Sequence, residues 1–168
     1  MVPIANNGTL LPFQAIYQRK TTLSCPSKTA PYFNDVICAG MLLEFSGTAT
    51  YWSNQQMMRN FIKNILAPYF DKEQAKLELP HTQKSLWQID VWSVHRSEEF
   101  RNWMETNFTN IILNYVPGGC TGLHQPCDVG IRAPRSSPVR FFGLFGLEPE
   151  PDRFKFSIYL TEPGPRPV

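Results

Sequence analysis

The chain has 168 residues, a length that fits one domain. Hydrophobic residues make up 42% of it and charged residues 18%, a composition that can form a core and that excludes a disordered chain. The net charge of +2 is too small to indicate nucleic-acid binding by itself. The N-terminus lacks a signal-peptide pattern, and no apolar run approaches the ~20 residues of a membrane helix. We therefore expect an intracellular protein with no membrane partner and with reduced cysteines.

Residues 2–20 predict a β-hairpin. Val2–Ala5 is a short apolar run, and residues 6–8 (Asn-Asn-Gly) are strong turn formers because these residue types tolerate positive φ. Phe13–Gln18 then alternates and is rich in β-formers. Residues 21–48 show no clear pattern, and we expect irregular structure there.

A helix is predicted to begin at Ser53. Ser53 and Gln56 fit a capping box. Apolar residues from Met57 to Ile65 recur at helical spacing and predict one buried stripe. Pro68 is predicted to end the helix, because proline cannot donate a backbone hydrogen bond.

A strand, a helix and a second strand follow. Lys84–Trp92 and Asn110–Val116 predict buried strands, and Glu98 and Glu99 stand at the start of the helix between them. This order predicts an α/β architecture. After residue 131 the character changes, since seven of the fifteen prolines lie between residues 134 and 168, and this tail is expected to be irregular and extended.

Two acids stand where ligands commonly bind. Asp90 lies near the end of the first predicted buried strand, and Asp128 follows the Gly- and Pro-containing loop after the second. Strand ends of open α/β sheets form ligand sites, and two carboxylates suit a hard cation, which prefers oxygen ligands. The alternative is structural: Asp90 caps a neighbouring loop and Asp128 caps a helix.

Four segments together resemble the catalytic domain of DDE superfamily endonucleases, in particular the pogo/Tigger/centromere-protein-B-like transposases. ANNGTLLPFQAIYQRKT is similar to the family's hairpin, and TATYWSNQQMMRNFIKNILAPYF to its helix. IDVWSVHRSEEFRNWM and IILNYVPGGCTGLHQPCDVGI are similar to its second and third acidic motifs. The resemblance covers residues 1–131 and implies an RNase H-like α/β domain, with residues 132–168 as a divergent, extended or disordered tail.

The resemblance also implies a site. In this family three acids bind two Mg²⁺ (or Mn²⁺) ions, which activate an oxygen nucleophile for in-line attack on a DNA phosphodiester. It assigns the second and third acids, as catalytic metal ligands, to Asp90 and Asp128. His95 and Gln125 match the family's His after the second acid and Gln before the third, and we expect both to support the site.

The chain departs from the family at its start. The family's first acid lies on a strand just before the hairpin, and Met1 falls after that point. We therefore expect a partial RNase H-like fold that lacks its first, central strand and leaves the neighbouring strands with unpaired edges. We also expect that catalysis is not competent.

The first hypothesis for function is a transposase-derived, DNA-binding domain that acts in the nucleus. Arg96 and Arg132 are its candidate phosphate contacts, and the chain itself or a full-length transposase is a possible partner. Two alternatives are a domesticated protein-interaction fragment and residual Mg²⁺-dependent DNA strand cleavage. A zinc site at Cys120, His124 and Cys127 is a further alternative, although this spacing is not a standard zinc pattern.

Overall fold

The structure is a computed structural model that describes residues 1–50, 52–118 and 120, and the backbone of residues 157–161. The described chain divides into two compact units, one of Met1 and residues 11–78, the other of residues 2–10 and the described residues from 79 onward. The elements in chain order are β1 (Val2–Ala5), β2 (Gln14–Tyr17), a 3₁₀ turn (Thr22–Ser24), α1 (Phe33–Cys38), β3 (Leu42–Phe45), α2 (Gln55–Phe61), a π turn (Ile62–Leu66), α3 (Ala67–Lys76), β4 (Ser85–Asp90), α4 (Ser93–Arg96), α5 (Glu98–Asn107), β5 (Ile111–Val116) and β6 (Ser157–Thr161).

The first unit is built on the helix predicted from the apolar stripe. α2, the π turn and α3 follow one another without a break, and the stripe is buried as predicted, with Met57, Phe61 and Ile65 each no more than 4% exposed. The cap differs from the prediction by one residue. The Asn54 side chain, not that of Ser53, accepts the Met57 backbone N–H at 3.1 Å.

The helix also continues past Pro68, which was predicted to end it. In the π turn the backbone N–H of Ala67 bonds to the carbonyl of Ile62, five residues earlier. Pro68 then stands in the first turn of α3. The backbone hydrogen bonds have already changed there from the i to i−4 pattern of an α-helix to the i to i−5 pattern of a π turn. A proline is tolerated at the start of α3 because its missing N–H is not needed in the first turn of a helix.

Residues 21–48 contain more regular structure than the sequence predicted. β2 and β3 pair in parallel, and the segment between them carries the 3₁₀ turn and α1. The buried Gln14 side chain joins the strands to the helix, because its amide donates to the Glu44 carboxylate and to the Met57 carbonyl.

The predicted hairpin forms only in its first half. β1 and its turn are present, with Gly8 at a φ of +84° and the Gly8 N–H bonded to the Ala5 carbonyl at 2.9 Å. After one bridge between Ile4 and Leu10, however, the chain leaves β1, and β2 pairs with β3 instead. Pro12 lies between the bridge and β2, and a proline cannot continue an antiparallel ladder because it has no N–H.

The second unit contains a four-stranded sheet in the order β1-β6-β4-β5. β4 and β5 pair in parallel, β4 and β6 pair in parallel, and β1 and β6 pair antiparallel. β6 thus lies between β1 and β4 and pairs with both. This strand comes from the proline-rich tail, where the sequence predicted only an irregular, extended chain.

The central strand–helix–strand prediction is confirmed. β4, α5 and β5 lie within the predicted ranges, and Ser97 caps α5 by accepting the Phe100 N–H at 3.2 Å. Trp87 of β4 and Phe100 of α5 are fully buried and meet with their ring centroids 6.3 Å apart. The parallel pairs and the helices give the α/β class that was expected. Within the described residues, no helix is both long and apolar enough to cross a membrane.

The position of β6 gives a test of the sheet. A chain that ends at residue 156 should lose the strand between β1 and β4, and we expect the β4 backbone amides to exchange with deuterium at least about tenfold faster, since exchange reports local opening. A chain that ends at Thr161 keeps β6 and is the control. Equal protection of the β4 amides in both chains would contradict the central role of β6.

Candidate functional site

The candidate site lies at the carboxyl ends of two parallel strands. Asp90 is the last residue of β4 and stands opposite Val116, the last residue of β5. Along β4 the buried positions alternate, so that Ser85, Trp87 and Ile89 face the core. Asp90 is on the other face, and its side chain keeps 17% of its surface exposed.

One carboxylate oxygen of Asp90 is held by two partners. The Nδ1 atom of His95 lies 2.7 Å from Asp90 Oδ1, and the backbone N–H of Trp92 donates to the same oxygen at 3.3 Å. The two partners come from the loop and the short helix directly after β4. The carboxylate is therefore oriented by local structure, as a functional carboxylate needs to be.

His95 is fully buried although it lies only five residues beyond the strand end. α4 turns the imidazole back toward Asp90, and the Phe100 ring lies against it with a centroid distance of 6.2 Å. The Tyr115 hydroxyl of β5 donates to the His95 carbonyl at 2.7 Å. These contacts fix both ends of the residue, and they explain how a histidine in a four-residue helix is held in place.

The hydrogen bonds also decide which nitrogen of His95 carries the proton. Nδ1 faces a carboxylate, which can only accept, whereas Nε2 is buried and has no hydrogen-bond partner among the described residues. A proton on Nε2 would be left unsatisfied, at a cost of about 1–3 kcal/mol. The neutral ring is therefore the Nδ1–H tautomer and donates to Asp90.

The second oxygen of Asp90 is available to a ligand. Within the described residues Oδ2 makes no hydrogen bond and no ion pair. A partly exposed carboxylate oxygen of this kind is a suitable donor for Mg²⁺ or Mn²⁺, which are hard cations. No group of three or more His, Cys, Asp or Glu side chains in the described part of the chain is placed to hold a metal ion.

The structure unites only part of the predicted site. Asp90, the predicted acid, and His95, the predicted supporting residue, are in direct contact. Arg96 ends α4 next to His95 and is exposed. The other predicted site residues lie outside the described residues, and so do two of the three suggested zinc ligands: Asp128, Gln125, Arg132, His124 and Cys127.

Sequence reasoning missed Tyr115. Its hydroxyl joins β5 to the His95 backbone, yet in the sequence it is one residue of a predicted buried strand. Asn114 and Tyr115 are the polar members of that strand, and this interruption was the available signal. Burial raises the pKa of Tyr115, while the nearby Arg101 and Arg96 act to lower it.

The tautomer of His95 can be measured. In long-range ¹H–¹⁵N spectra at about pH 9, where a free imidazole is neutral, we expect a protonated Nδ1 and an unprotonated Nε2 for His95. The exposed His81 is the internal control, and we expect it to favour the other tautomer. Asp90→Ala should remove the preference of His95, whereas Asp90→Asn should keep it because the amide oxygen still accepts. A protonated Nε2 in the unaltered chain would contradict the assignment.

Comparison with known protein families gave a match to most of the chain. Residues 1–140 match the family described as DDE superfamily endonuclease, and this match covers most of the 168 residues. No significant match was found to a curated protein or to a solved structure.

Proposed function

The chain belongs to the DDE superfamily endonucleases, and from this premise we propose a transposase-derived domain that binds DNA and holds Mg²⁺ or Mn²⁺ at the Asp90 end of β4. One observation carries the proposal. Oδ1 of Asp90 is occupied by His95 and Trp92, while Oδ2 has no partner among the described residues. The carboxylate is thus held in one orientation with one oxygen left for a cation.

The residues of the site have distinct roles in this proposal. Asp90 is the metal ligand, and Asp128 joins it as a second carboxylate ligand, with Gln125 as a supporting residue. His95 is a positioning residue, because its Nδ1–H holds Oδ1 and its buried ring prevents the carboxylate from turning. When bound, a pair of divalent cations would stabilise both the attacking and the leaving oxygen of a phosphodiester.

DNA is the partner that this chemistry fits. A divalent cation at a strand end attracts the phosphate backbone, and Arg96 is exposed beside it. We place Arg132 in the same role. Acting on DNA would locate the protein in the nucleus, and a second copy or a full-length transposase is the proposed protein partner. The sequence-based expectation is binding without cleavage, with residual strand cleavage and a protein-interaction role as the alternatives.

Cation binding is tested by titrating the protein with Mn²⁺ in a calorimeter. Asp90→Asn keeps the hydrogen bond to His95 but weakens the second side-chain oxygen as a metal ligand. We expect this variant to lower the affinity for Mn²⁺ at least about tenfold, because even the loss of a residue that only hydrogen-bonds a metal ligand costs about that much. Asp128→Asn should act similarly. Asp71→Asn, at an exposed position of α3, is the matched control and should change nothing. Unchanged Mn²⁺ binding in folded Asp90→Asn would exclude Asp90 as a ligand.

DNA binding is tested separately by fluorescence anisotropy with a labelled duplex. We expect the logarithm of the binding constant to fall linearly with the logarithm of salt concentration, with a slope of about −0.9 for each phosphate contacted. The same samples with Mg²⁺ report strand cleavage, which Asp128→Asn should abolish if it occurs. A folded chain that binds no duplex at low salt would reject the DNA proposal and favour the protein-interaction alternative.

A further inference from the structure

A small cavity opens at the same end of β4 as the Asp90 carboxylate. It measures about 270 Å³ and is lined by Val91, Arg96, Arg101 and Tyr115. These four residues come from the loop after β4, the end of α4, the first half of α5 and β5. The cavity is therefore assembled by the fold and does not arise from one exposed segment. Val91 follows Asp90 directly in the chain.

Both charged residues of the cavity are cations without an acidic partner. Arg96 and Arg101 are exposed, and within the described residues neither forms an ion pair. No Asp or Glu lines the cavity. Arginine stays protonated at any ordinary pH. Two positive charges are thus brought to one small volume whose lining includes no negative side chain.

Tyr115 forms a rigid, neutral side of the cavity. Its hydroxyl donates to the His95 carbonyl at 2.7 Å, which fixes the ring. Burial raises the pKa of Tyr115, so the phenol carries no charge that could neutralise the arginines. The charges of Arg101 and Arg96, which line the same cavity, act in the opposite direction on this pKa.

The chemistry of the cavity selects an oxyanion. Guanidinium groups present pairs of N–H donors that match the oxygens of a phosphate, and charge-assisted bonds of this kind are stronger than neutral ones. The cavity is several times the ~30 Å³ that one water occupies in the liquid, so it has room for a phosphate group. A phosphodiester that entered it would lie at the carboxyl edge of β4, where the proposed cation site is.

We propose that Arg96 and Arg101, with Tyr115 at their side, form a phosphate-binding subsite that takes one backbone phosphate of a nucleic acid at the carboxyl end of β4. The identity of the ligand as nucleic acid rests on the proposed function, whereas the affinity for phosphate rests on the cavity alone. In this arrangement the subsite positions a strand relative to the Asp90 carboxylate. It carries no sequence information, because it contacts only the backbone.

The test compares four forms of the full chain: unaltered, Arg96→Gln, Arg101→Gln and the double variant. Both arginines are exposed, so their replacement should leave the fold intact. Lys72→Gln removes one exposed charge from α3 and is the control for net charge. The probes are inorganic phosphate and a short DNA duplex. Binding of phosphate is read from the ring resonances of Tyr115, assigned with Tyr115→Phe, and binding of duplex is read from anisotropy.

We expect inorganic phosphate to shift the Tyr115 resonances in the unaltered chain and in Lys72→Gln, but not in the double variant. Duplex binding should weaken at least about tenfold in the double variant, and its salt slope should fall by about one, since the loss of one phosphate contact removes about one unit. A Tyr115 shift that persists in the folded double variant would overturn the subsite.

The outcomes separate this inference from the function on which its ligand depends. If duplex binds equally well to the unaltered chain and the double variant, the subsite is wrong while the proposed function stands. If no form binds duplex but phosphate binding requires both arginines, the subsite is supported as a site for free phosphate and the proposed function fails.

Discussion

The hydrogen bond between Asp90 and His95 organises the carboxyl edge of the second unit. A fully buried imidazole needs a partner for its polar atoms, and the strand-end carboxylate is 2.7 Å from Nδ1. This bond turns α4 back over the end of β4, and the Tyr115 hydroxyl then joins β5 to the same residue. The bond also fixes the orientation of the Asp90 carboxylate and so the position of its second oxygen. The proposed cation site therefore depends on this contact.

The sheet on which this edge rests depends on pairings between distant parts of the chain. β4 is bonded on one side to β5, about twenty residues away along the chain, and on the other to β6 in the C-terminal tail. Pairs of this kind cannot be read from a local pattern, because the alternation of a strand says which face is buried and not which strand is its neighbour. β6 illustrates the difference, since the prolines of the tail that contains it predicted irregular structure and its position between β1 and β4 was not predicted.

The first unit shows how local signals are modified by their surroundings. The apolar stripe of α2 was correct because burial of that face dominates its stability. The N-cap is Asn54 and not the predicted Ser53, and the Ser53 side chain is buried instead. Because of the π turn before Pro68, the helix continues past a residue type that normally ends a helix. In both cases the apolar periodicity located the helix correctly, whereas the predicted first or last residue of the helix was wrong. A helix end depends on a single hydrogen bond, which the periodicity does not determine.

The sequence by itself determined the α/β class, the β4–α5–β5 core and the family, and it singled out Asp90 and His95 as candidate site residues. These follow from periodicity and from motifs whose residues lie close together in the chain. Only the tertiary structure decided that β2 pairs with β3, that β6 lies at the centre of the sheet, and that Tyr115 and Arg101 join Arg96 around one cavity. Those arrangements bring together residues from separate elements, and their energy comes from contacts that exist only once the chain has folded.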